Sequence, residues 1–284
     1  MIKRIYEKIS IFLRVVKESK KPARYFFAQV LAKTGLCKFF VIKMNGYKLR
    51  FTPSSLSITL FSNPGDRDAD EAFFRHLLKQ GDLYVDVGAN IGTLALCAAQ
   101  LVGSNGKVIA IEAHPKTFGY LAENVALNSF LNINLLNYAV GDKEGELTFS
   151  DMNSDDQNKV ITGLTGGITV PVKKLDMLLR QEHNISLLKI DVEGFEKYVV
   201  DGASEVLKRT DMVFFESWDQ NFLNYGYTAD DLIELFKYKG FRVFSIANDK
   251  LSIISLTHNS VKCENLLAIK NIVQFSFKTG IKLQ

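Results

Sequence analysis

The sequence predicts a doubly wound α/β fold built on a mostly parallel β-sheet. Short apolar runs at residues 83–87, 107–111 and 133–140 are typical of buried strands. The first two runs are each followed by a segment with the apolar spacing of a helix, at residues 93–102 and 115–128. Strands that alternate with helices in this way favour parallel crossovers, and ligands bind such sheets outside the carboxyl ends of the strands.

Composition places the chain among globular proteins and excludes several other classes. Of its 284 residues, 47% are hydrophobic and 23% are charged, which is typical of a soluble domain. No apolar run approaches the roughly 18 residues needed to cross a membrane, and the first residues lack the pattern of a secretory signal. Cys37, Cys97 and Cys263 match neither a disulfide framework nor a zinc site. We therefore expect a cytoplasmic protein without a transmembrane segment.

Residues 1–40 are predicted to form a basic amphipathic helical extension. Apolar residues recur at three- and four-residue spacing over residues 2–16, and eight Lys/Arg stand against two Glu between residues 3 and 24. Two interpretations remain open: the helix packs on the main domain with its basic face in water, or residues 1–21 rest on an anionic membrane or another chain. The net charge of the whole chain is only +4, so its composition does not favour a nucleic-acid partner.

The main domain is predicted to span residues 41–284 and to begin with a β-hairpin. Strand-like segments within residues 41–51 flank the pair Asn45 and Gly46, which is typical of a primed hairpin turn. A helix is expected over residues 70–79, because its apolar side chains are spaced to form one inward face. The first parallel strand then follows.

The stretch from residue 86 to residue 92 is typical of a nucleotide-binding turn between a strand and a helix. An acidic residue ends the strand, a glycine that can adopt a positive φ follows, and a second glycine avoids a clash at the start of the helix. The amide groups of the first helical turn are expected to face the ligand. The residues predicted to bind the cofactor here are Asp86, Gly88, Ala89, Asn90 and Gly92.

Three further residues complete the predicted cofactor site. Glu112 ends the second predicted strand, where it can accept hydrogen bonds from two ribose hydroxyls, and Ala139 and Val140 fall at the end of the third. A pyrophosphate-binding turn would carry a glycine in place of Asn90, and an anionic Asp86 would repel phosphate. S-adenosylmethionine carries a sulfonium and an ammonium group, so the electrostatics favour this cofactor over NAD or ATP.

Three acids at the ends of two later strands form a second predicted cluster. Asp191 and Glu193 follow an apolar run, and Glu216 ends the next run, so a doubly wound order places them together beside the cofactor turn. Methyl transfer to a hydroxyl requires removal of a proton, which a positioned carboxylate can accept. We predict that these three acids are catalytic. For Glu193, capping of the following helix is an equal alternative.

Residues 141–186 form the least regular part of the predicted domain. A strand is expected at residues 146–150 and another at residues 168–172, where Pro171 favours an edge position. Between them, residues 151–167 are polar and are predicted to be either a solvated loop or a lid over the substrate. Aromatic residues after the fifth strand are predicted either to line an acceptor pocket or to pack in the core: Trp218, Phe222, Tyr225 and Tyr227.

Four stretches, in order along the chain, resemble the motifs of the FkbM family of class I S-adenosylmethionine-dependent methyltransferases. The stretches are residues 85–92, which include Gly-Ala-Asn-Ile-Gly; residues 139–142, with Gly145 beyond; residues 175–178; and residues 188–196, which read Leu-Lys-Ile-Asp-Val-Glu-Gly-Phe-Glu. The resemblance covers about residues 60–245. One departure is the pair Ala113 and His114 before Pro115, where many members have Glu-Pro directly, but the ribose-binding acid is kept.

The resemblance implies a Rossmann-like methyltransferase fold with a seven-stranded sheet, whose antiparallel C-terminal edge would be formed by residues 241–246 and 265–269. It also implies an O-methyltransferase that acts on a hydroxyl of a small-molecule or glycan acceptor: a sugar, a glycolipid or polysaccharide, or a secondary metabolite. RNA methylation is the alternative, although the aromatic interleaving typical of RNA modules is missing. The three clustered acids can in principle hold Mg²⁺, but their pattern is not close to that of catechol-type enzymes, so no metal ligand is predicted.

Overall fold

The computed structural model describes residues 20–150, 167–247, 250–254 and 258–281. The helix predicted over residues 2–16 and nearly all of the polar segment at 151–167 lie outside the described residues.

The described chain alternates short strands with helices. The helices are α1 (Pro22–Lys33), α2 (Ser55–Ser62), α3 (Asp68–Leu77), α4 (Thr93–Val102), α5 (Pro115–Leu127), α6 (Leu175–Leu178), α7 (Glu196–Asp201), α8 (Ser204–Lys208), α9 (Asp219–Phe222), α10 (Ala229–Tyr238) and α11 (Ile272–Thr279). Short 3₁₀ helices lie at Leu36–Phe39, Pro64–Arg67 and Leu223–Tyr225. The strands are β1 (Val41–Lys43), β2 (Lys48–Arg50), β3 (Leu83–Val87), β4 (Lys107–Ile111), β5 (Ile133–Leu136), β6 (Ala139–Val140), β7 (Gly145–Ser150), β8 (Gly167–Lys173), β9 (Leu187–Ile190), β10 (Met212–Ser217), β11 (Arg242–Ala247), β12 (Lys250–Ile253) and β13 (Glu264–Ile269).

The main sheet confirms the predicted doubly wound α/β class. Its described strands follow the order β12-β11-β13-β10-β9-β3-β4-β5. The strands from β10 to β5 are parallel, whereas β13 lies antiparallel between β10 and β11. The sheet has one strand more than predicted, because β12 pairs with β11 at its outer edge. The parallel order reverses direction between β3 and β9, which is where a doubly wound sheet opens a crevice for a ligand.

A smaller sheet covers the carboxyl end of the third parallel strand. The single strand predicted over residues 133–140 is divided into β5 and β6, and β6 leaves the main sheet to pair with β8. The strand order is β6-β8-β7, so the prediction that Pro171 marks an edge strand was wrong. β6 pairs only with Val172 and Lys173, so Pro171 has no partner residue in β6. The missing N–H of this proline therefore breaks no ladder on that side.

The parallel strands are buried on both faces, and alternate side chains enter two different apolar cores. Val85 and Val87 pack in one core, and Tyr84 packs in the other. Burial of such side chains contributes about 1.5–3 kcal/mol each. Asp86 shares the face of Tyr84 and is itself only 1% exposed. A carboxylate in this position requires a partner, because an isolated buried charge is unstable.

The N-terminal part of the described chain is packed on the domain. The predicted hairpin is confirmed by antiparallel pairing of β1 with β2, and Gly46 has a φ of 96°. Helix α1 buries Ala28 and Leu31 in one apolar cluster with Leu49 and Leu96. Helix α2 was not predicted, although the side chain of Ser54 caps it. Among the described residues, no helix has the length and apolar character needed to cross a bilayer.

Candidate active site

A cavity of about 470 Å³ opens at the carboxyl ends of the parallel strands. It brings together all of the residues predicted to bind the cofactor or to act on the acceptor, with the exception of Gly92: Asp86, Gly88, Ala89, Asn90, Glu112, Ala139, Val140, Asp191, Glu193 and Glu216. Gly92 supports the site from behind, because it precedes α4 with a φ of 90° and a Cβ there would approach Leu121 to 2.5 Å. The sequence-based site is therefore one contiguous pocket.

The turn after β3 is closed by its own hydrogen bonds. The amides of Gly88 and Ala89 both donate to the carbonyl of Ile111, at 2.9 and 3.0 Å. The amide of Asn90 donates to Glu112 Oε2 at 2.9 Å, and the amide of Ile91 donates to the Asn90 side chain at 2.7 Å. The amides of residues 88–91 therefore have acceptors within the protein, whereas the expectation for the amides of the first turn of α4 stays a prediction. A turn whose amides already have acceptors is not a cradle for a pyrophosphate.

Gly88 allows the turn to approach the neighbouring strand. Its φ is 80°, a conformation that favours glycine. A Cβ at this position would also overlap the carbonyl oxygen of Asp191. The cofactor turn and the acidic cluster are thus held in direct contact through a backbone that only glycine permits.

Glu112 lies at the end of β4 and faces the same turn. Besides the amide of Asn90, it accepts a hydrogen bond from the amide of His114 at 2.9 Å, so each carboxylate oxygen has one protein donor. Burial raises its pKa to about 7, against the effect of these two hydrogen bonds. Each oxygen keeps a further lone pair. The side chain can therefore accept two more hydrogen bonds, as recognition of a ribose diol requires.

Lys189 is the main functional residue that sequence reasoning missed. It is the direct cross-strand neighbour of Asp86 in the β3–β9 register. Its Nζ lies 3.3 Å from Asp86 Oδ1 and 3.2 Å from Asp191 Oδ2, and it donates to the carbonyl of Gly88 at 3.2 Å. The available signal was a lysine between Leu188 and Ile190 in an apolar run. Asp86 therefore does not present an unpaired anion to a ligand.

The pocket as a whole is nevertheless acidic. Seven carboxylic acids line it, against two basic side chains, Arg67 and Lys189. The acids are Asp66, Asp86, Glu112, Asp191, Glu193, Glu216 and Glu264. Lys189 forms ion pairs with Asp86 and Asp191. The negative charge of the other acids still favours a cationic ligand over a phosphate.

The three predicted catalytic acids converge on one side of the pocket. One carboxylate oxygen from each of Asp191, Glu193 and Glu216 lies within 4.8 Å of the others. The register explains this, because Ile190 pairs with Phe215 and the next residue of each strand emerges beside the other. Carboxylates this close can orient a hydroxyl or share a cation.

Each acid of this cluster has a different environment. Glu193 has a φ of 55°, uncommon for a residue other than glycine, and its Oε2 accepts a hydrogen bond from Asn221 at 3.1 Å. Glu216 accepts a hydrogen bond from Cys263 Sγ at 3.1 Å. Burial and, after it, the nearby charge of Asp191 together raise the pKa of Glu216 to about 8. Glu216 therefore holds its proton at a higher pH than an ordinary glutamic acid.

Hydrogen bonds to Glu196 hold the loop from residue 191 to residue 194 in place. The sequence alone indicated no role for this glutamate. Glu196 is fully buried and accepts hydrogen bonds from the amides of Val192 and Gly194. Burial raises its pKa to about 7. Tyr227 donates to the carbonyl of Gly194 at 2.7 Å. These bonds hold the acidic cluster at the pocket rim.

The aromatic residues predicted as an alternative acceptor lining belong mainly to the core. Phe222 and Tyr227 are 0% and 4% exposed and stack on each other. The aromatic side chains that line the pocket come from other elements: Tyr138, Phe149 and Phe195. All three lie outside the segment after the fifth strand, so its aromatic pattern did not predict the acceptor side of the pocket.

The chain matches known methyltransferases over the region that contains this pocket. Residues 86–243 match the family model described as the methyltransferase FkbM domain. A curated relative, hexuronic acid methyltransferase AglP from Haloferax volcanii, is 28% identical over 195 residues, which are 66% of this chain and 78% of the relative.

Solved structures of methyltransferases are also similar to this chain. A methyltransferase from Pyrococcus furiosus is 16% identical with a TM-score of 0.43, and the match covers 88% of this chain and 98% of that one. A SAM-dependent methyltransferase from Aquifex aeolicus is 16% identical with a TM-score of 0.44, and the match covers 74% of this chain and 94% of that one.

Proposed function

The chain belongs to the FkbM methyltransferase family, and from this premise we propose that it transfers a methyl group to a hydroxyl of a sugar in a glycan or glycolipid. It is an S-adenosylmethionine-dependent enzyme. The observation that carries the proposal is the convergence of Asp191, Glu193 and Glu216 beside the cofactor turn. An alcohol acceptor needs such acids, because it must lose its proton as the new bond forms.

The cofactor side of the pocket is assigned to the turn after β3 and its neighbours. Glu112 holds the ribose hydroxyls, and the contact of Gly88 with Asp191 brings the turn close to the acidic cluster. Asp86 acts with Lys189 to fix the floor of the pocket. Bound there, S-adenosylmethionine supplies an electrophilic methyl group on its sulfonium.

In the proposed reaction the acceptor oxygen forms a bond to the methyl carbon as the bond from carbon to sulfur breaks. The hydroxyl proton passes to Glu216, whose pKa of about 8 suits a general base near neutral pH. Asp191 is held by Lys189 and Glu193 by Asn221, so these two carboxylates can orient the acceptor. S-adenosylhomocysteine and the methyl ether are the products.

A sugar acceptor is supported by the matched relative, which is named for its action on a hexuronic acid. A uronic acid offers two methylation sites, since a hydroxyl would give an ether and the carboxylate would give an ester. The acidic rim favours the hydroxyl, because it would repel a carboxylate and can accept a hydroxyl proton.

This proposal is tested with labelled S-adenosylmethionine and a panel of soluble glycans that contain uronic or neutral sugars. Incorporation that survives mild alkali indicates an ether and supports the proposal. Incorporation that alkali releases would show an ester and overturn it. Transfer to RNA, with none to any glycan, would overturn the choice of acceptor.

Peripheral contact of residues 1–21 with the inner face of a membrane is a separate part of the proposal, and it would place the enzyme in the cytoplasm. The excess of Lys/Arg over Glu in this segment supports it. Deletion of residues 1–21 should then weaken co-sedimentation with anionic liposomes, and equal binding of both proteins would contradict this contact.

A further inference from the structure

Helix α1 presents apolar side chains to solvent on the face opposite its buried side. Ala28 and Leu31 are buried against the domain, whereas Phe27 and Val30 are 53% and 41% exposed. At 100° per residue, the exposed positions cluster on one face of the helix, away from the buried ones. A helix that is apolar on both sides is normally covered on both. The outward face of α1 therefore indicates a binding surface.

The exposed apolar surface continues through the 3₁₀ helix Leu36–Phe39 into β1. Phe39 is 72% exposed, and Lys38 Nζ lies 5.2 Å above its ring. Together these side chains form what we call the N-terminal face: Phe26, Phe27, Val30, Leu36, Phe39, Phe40 and Val41, each at least 39% exposed. A concentration of large apolar side chains over 16 residues of surface is a mark of an interaction site.

The segment that carries the N-terminal face has positive charges only. Residues 20–50 contain eight Lys/Arg and no Asp or Glu, and all eight basic side chains are exposed. Residues 1–50 contain thirteen Lys/Arg against two Glu, and the remaining chain contains 22 Lys/Arg against 29 Asp/Glu. The modest net charge of +4 conceals this division. The charge of this segment therefore favours an anionic partner.

We propose that the N-terminal face docks on an anionic lipid bilayer. The occupants that the chain itself could supply have the wrong charge: residues 1–19 carry five Lys/Arg against two Glu, and a second copy would oppose one basic face to another. RNA is also anionic and the four phenylalanines of the face could stack on bases, but the other three members, Val30, Leu36 and Val41, are aliphatic and offer no ring for stacking. A bilayer interface accepts aliphatic and aromatic side chains and attracts the surrounding lysines.

Helix α1, which carries part of the face, packs through its other side on an element of the pocket rim. Lys20 Nζ lies 3.6 Å from Asp66, which lines the pocket, and Arg24 donates to the carbonyl of Phe61 in α2 at 3.1 Å. The same helix α2 contributes Leu56 and Thr59 to the lining. This placement deepens the proposed function and rests on it: a glycan acceptor attached to a lipid would reach the pocket from the bilayer to which the enzyme is bound.

The test measures partition of the full chain onto vesicles of phosphatidylcholine with 30% phosphatidylglycerol by co-sedimentation. Lys33→Gln combined with Lys38→Gln should weaken partition about 25-fold, since each basic residue near such a surface contributes about fivefold. Phe27→Ser combined with Phe39→Ser should weaken it about tenfold or more. These residues are exposed, so their replacement should not unfold the protein.

A matched control is Lys79→Gln combined with Phe277→Ser, because both side chains are exposed and lie outside the N-terminal face. The control should bind vesicles within about twofold of wild type. Equal binding of the face variants and wild type, or no vesicle binding by wild type, would overturn the proposal. So would preferential binding to polyuridylate, or a wild-type dimer that becomes monomeric in Phe27→Ser combined with Phe39→Ser.

Methyl transfer to a soluble glycan separates this proposal from the proposed function. None of the four substituted residues of the face lines the pocket, so turnover without vesicles should match wild type. Loss of vesicle binding with retained turnover supports docking. Absence of turnover on every glycan would contradict the proposed function. Vesicle binding would then still test whether the N-terminal face docks on a bilayer.

Discussion

Lys189 and Asp86 form a buried ion pair, 3.3 Å apart, between the two strands that flank the pocket. Their side chains are 7% and 1% exposed, so solvent screens the pair very little. Burial raises the pKa of Asp86, and Lys189 opposes this effect as the nearest positive charge. The same ammonium holds Asp191 at 3.2 Å. The position of one lysine therefore couples the cofactor turn to the acidic cluster.

Replacement of Lys189 by methionine should destabilise the protein by about 3–5 kcal/mol, because it leaves a buried carboxylate without its counter-charge. The free energy of unfolding in urea measures the effect. Addition of Asp86→Asn to the Lys189→Met protein should recover part of the loss, since the unpaired charge is then removed.

The matched control for this experiment is Lys107→Met, which removes the 2.6 Å ion pair with Glu182. Those side chains are 40% and 21% exposed, so the loss should stay below about 1 kcal/mol. Similar losses for Lys189→Met and Lys107→Met would contradict the view that the buried pair organises the pocket.

Replacement of Glu112 by glutamine should weaken binding of S-adenosylmethionine about 10- to 100-fold, because hydrogen bonds to a charged group contribute about 1.5–3 kcal/mol. Burial raises the Glu112 pKa to about 7, so the wild-type affinity should increase between pH 6 and pH 8 as the carboxylate forms. Titration calorimetry at both pH values measures this. The glutamine variant should lack the increase, and Glu123→Gln, an exposed change on α5, should behave as wild type.

Much of the cofactor site could be predicted because its signals are local. Asp86, Gly88 and Glu112 stand at a strand–turn–helix junction and at the end of the next strand, and topology rules place such ends together. The doubly wound order also placed Glu216 beside Asp191, as the β9–β10 register confirms. These inferences need only the sequence period and the handedness of parallel crossovers.

The remaining features depend on contacts between distant segments. The role of Lys189 follows from its register opposite Asp86, which no local pattern encodes. The spacing of aromatic residues does not distinguish side chains of the core from side chains of the pocket. Tyr227, for example, is buried and donates a hydrogen bond to the carbonyl of Gly194. The position of β8 depends on β6 leaving the main sheet, which an apolar run over residues 133–140 does not show.

Replacement of Gly88 by alanine should destabilise the protein by about 2–5 kcal/mol and abolish cofactor binding. A positive φ costs about 1–2 kcal/mol for alanine, and the overlap with the Asp191 carbonyl adds about 1–3 kcal/mol. Thermal unfolding and calorimetry measure the two effects. Gly81→Ala separates them, because Gly81 has a φ of 87° but open space around its Cβ. It should show only the smaller loss and normal binding, and equal losses at both glycines would refute the steric argument.

If Glu216 accepts the hydroxyl proton, kcat/KM for the acceptor should increase with pH and level off above about pH 8. Only the ionised carboxylate can act as a base, and burial raises its pKa to about 8. Glu216→Gln should lower kcat about 100-fold or more and remove this pH dependence, while binding of S-adenosylmethionine is retained. Initial rates between pH 6 and pH 9 measure the profile.

Two further variants should displace the same profile in opposite directions. The charge of Asp191 raises the Glu216 pKa, so Asp191→Asn should move the rise to lower pH even if the maximal rate falls. The hydrogen bond from Cys263 lowers that pKa, so Cys263→Ala should move the rise to higher pH. A profile that stays in place in both variants would assign the proton to another group. Displacement in opposite directions would identify Glu216 as the titrating acid. Among the described residues, only its carboxyl group both accepts a hydrogen bond from Cys263, which lowers its pKa, and lies near the charge of Asp191, which raises it.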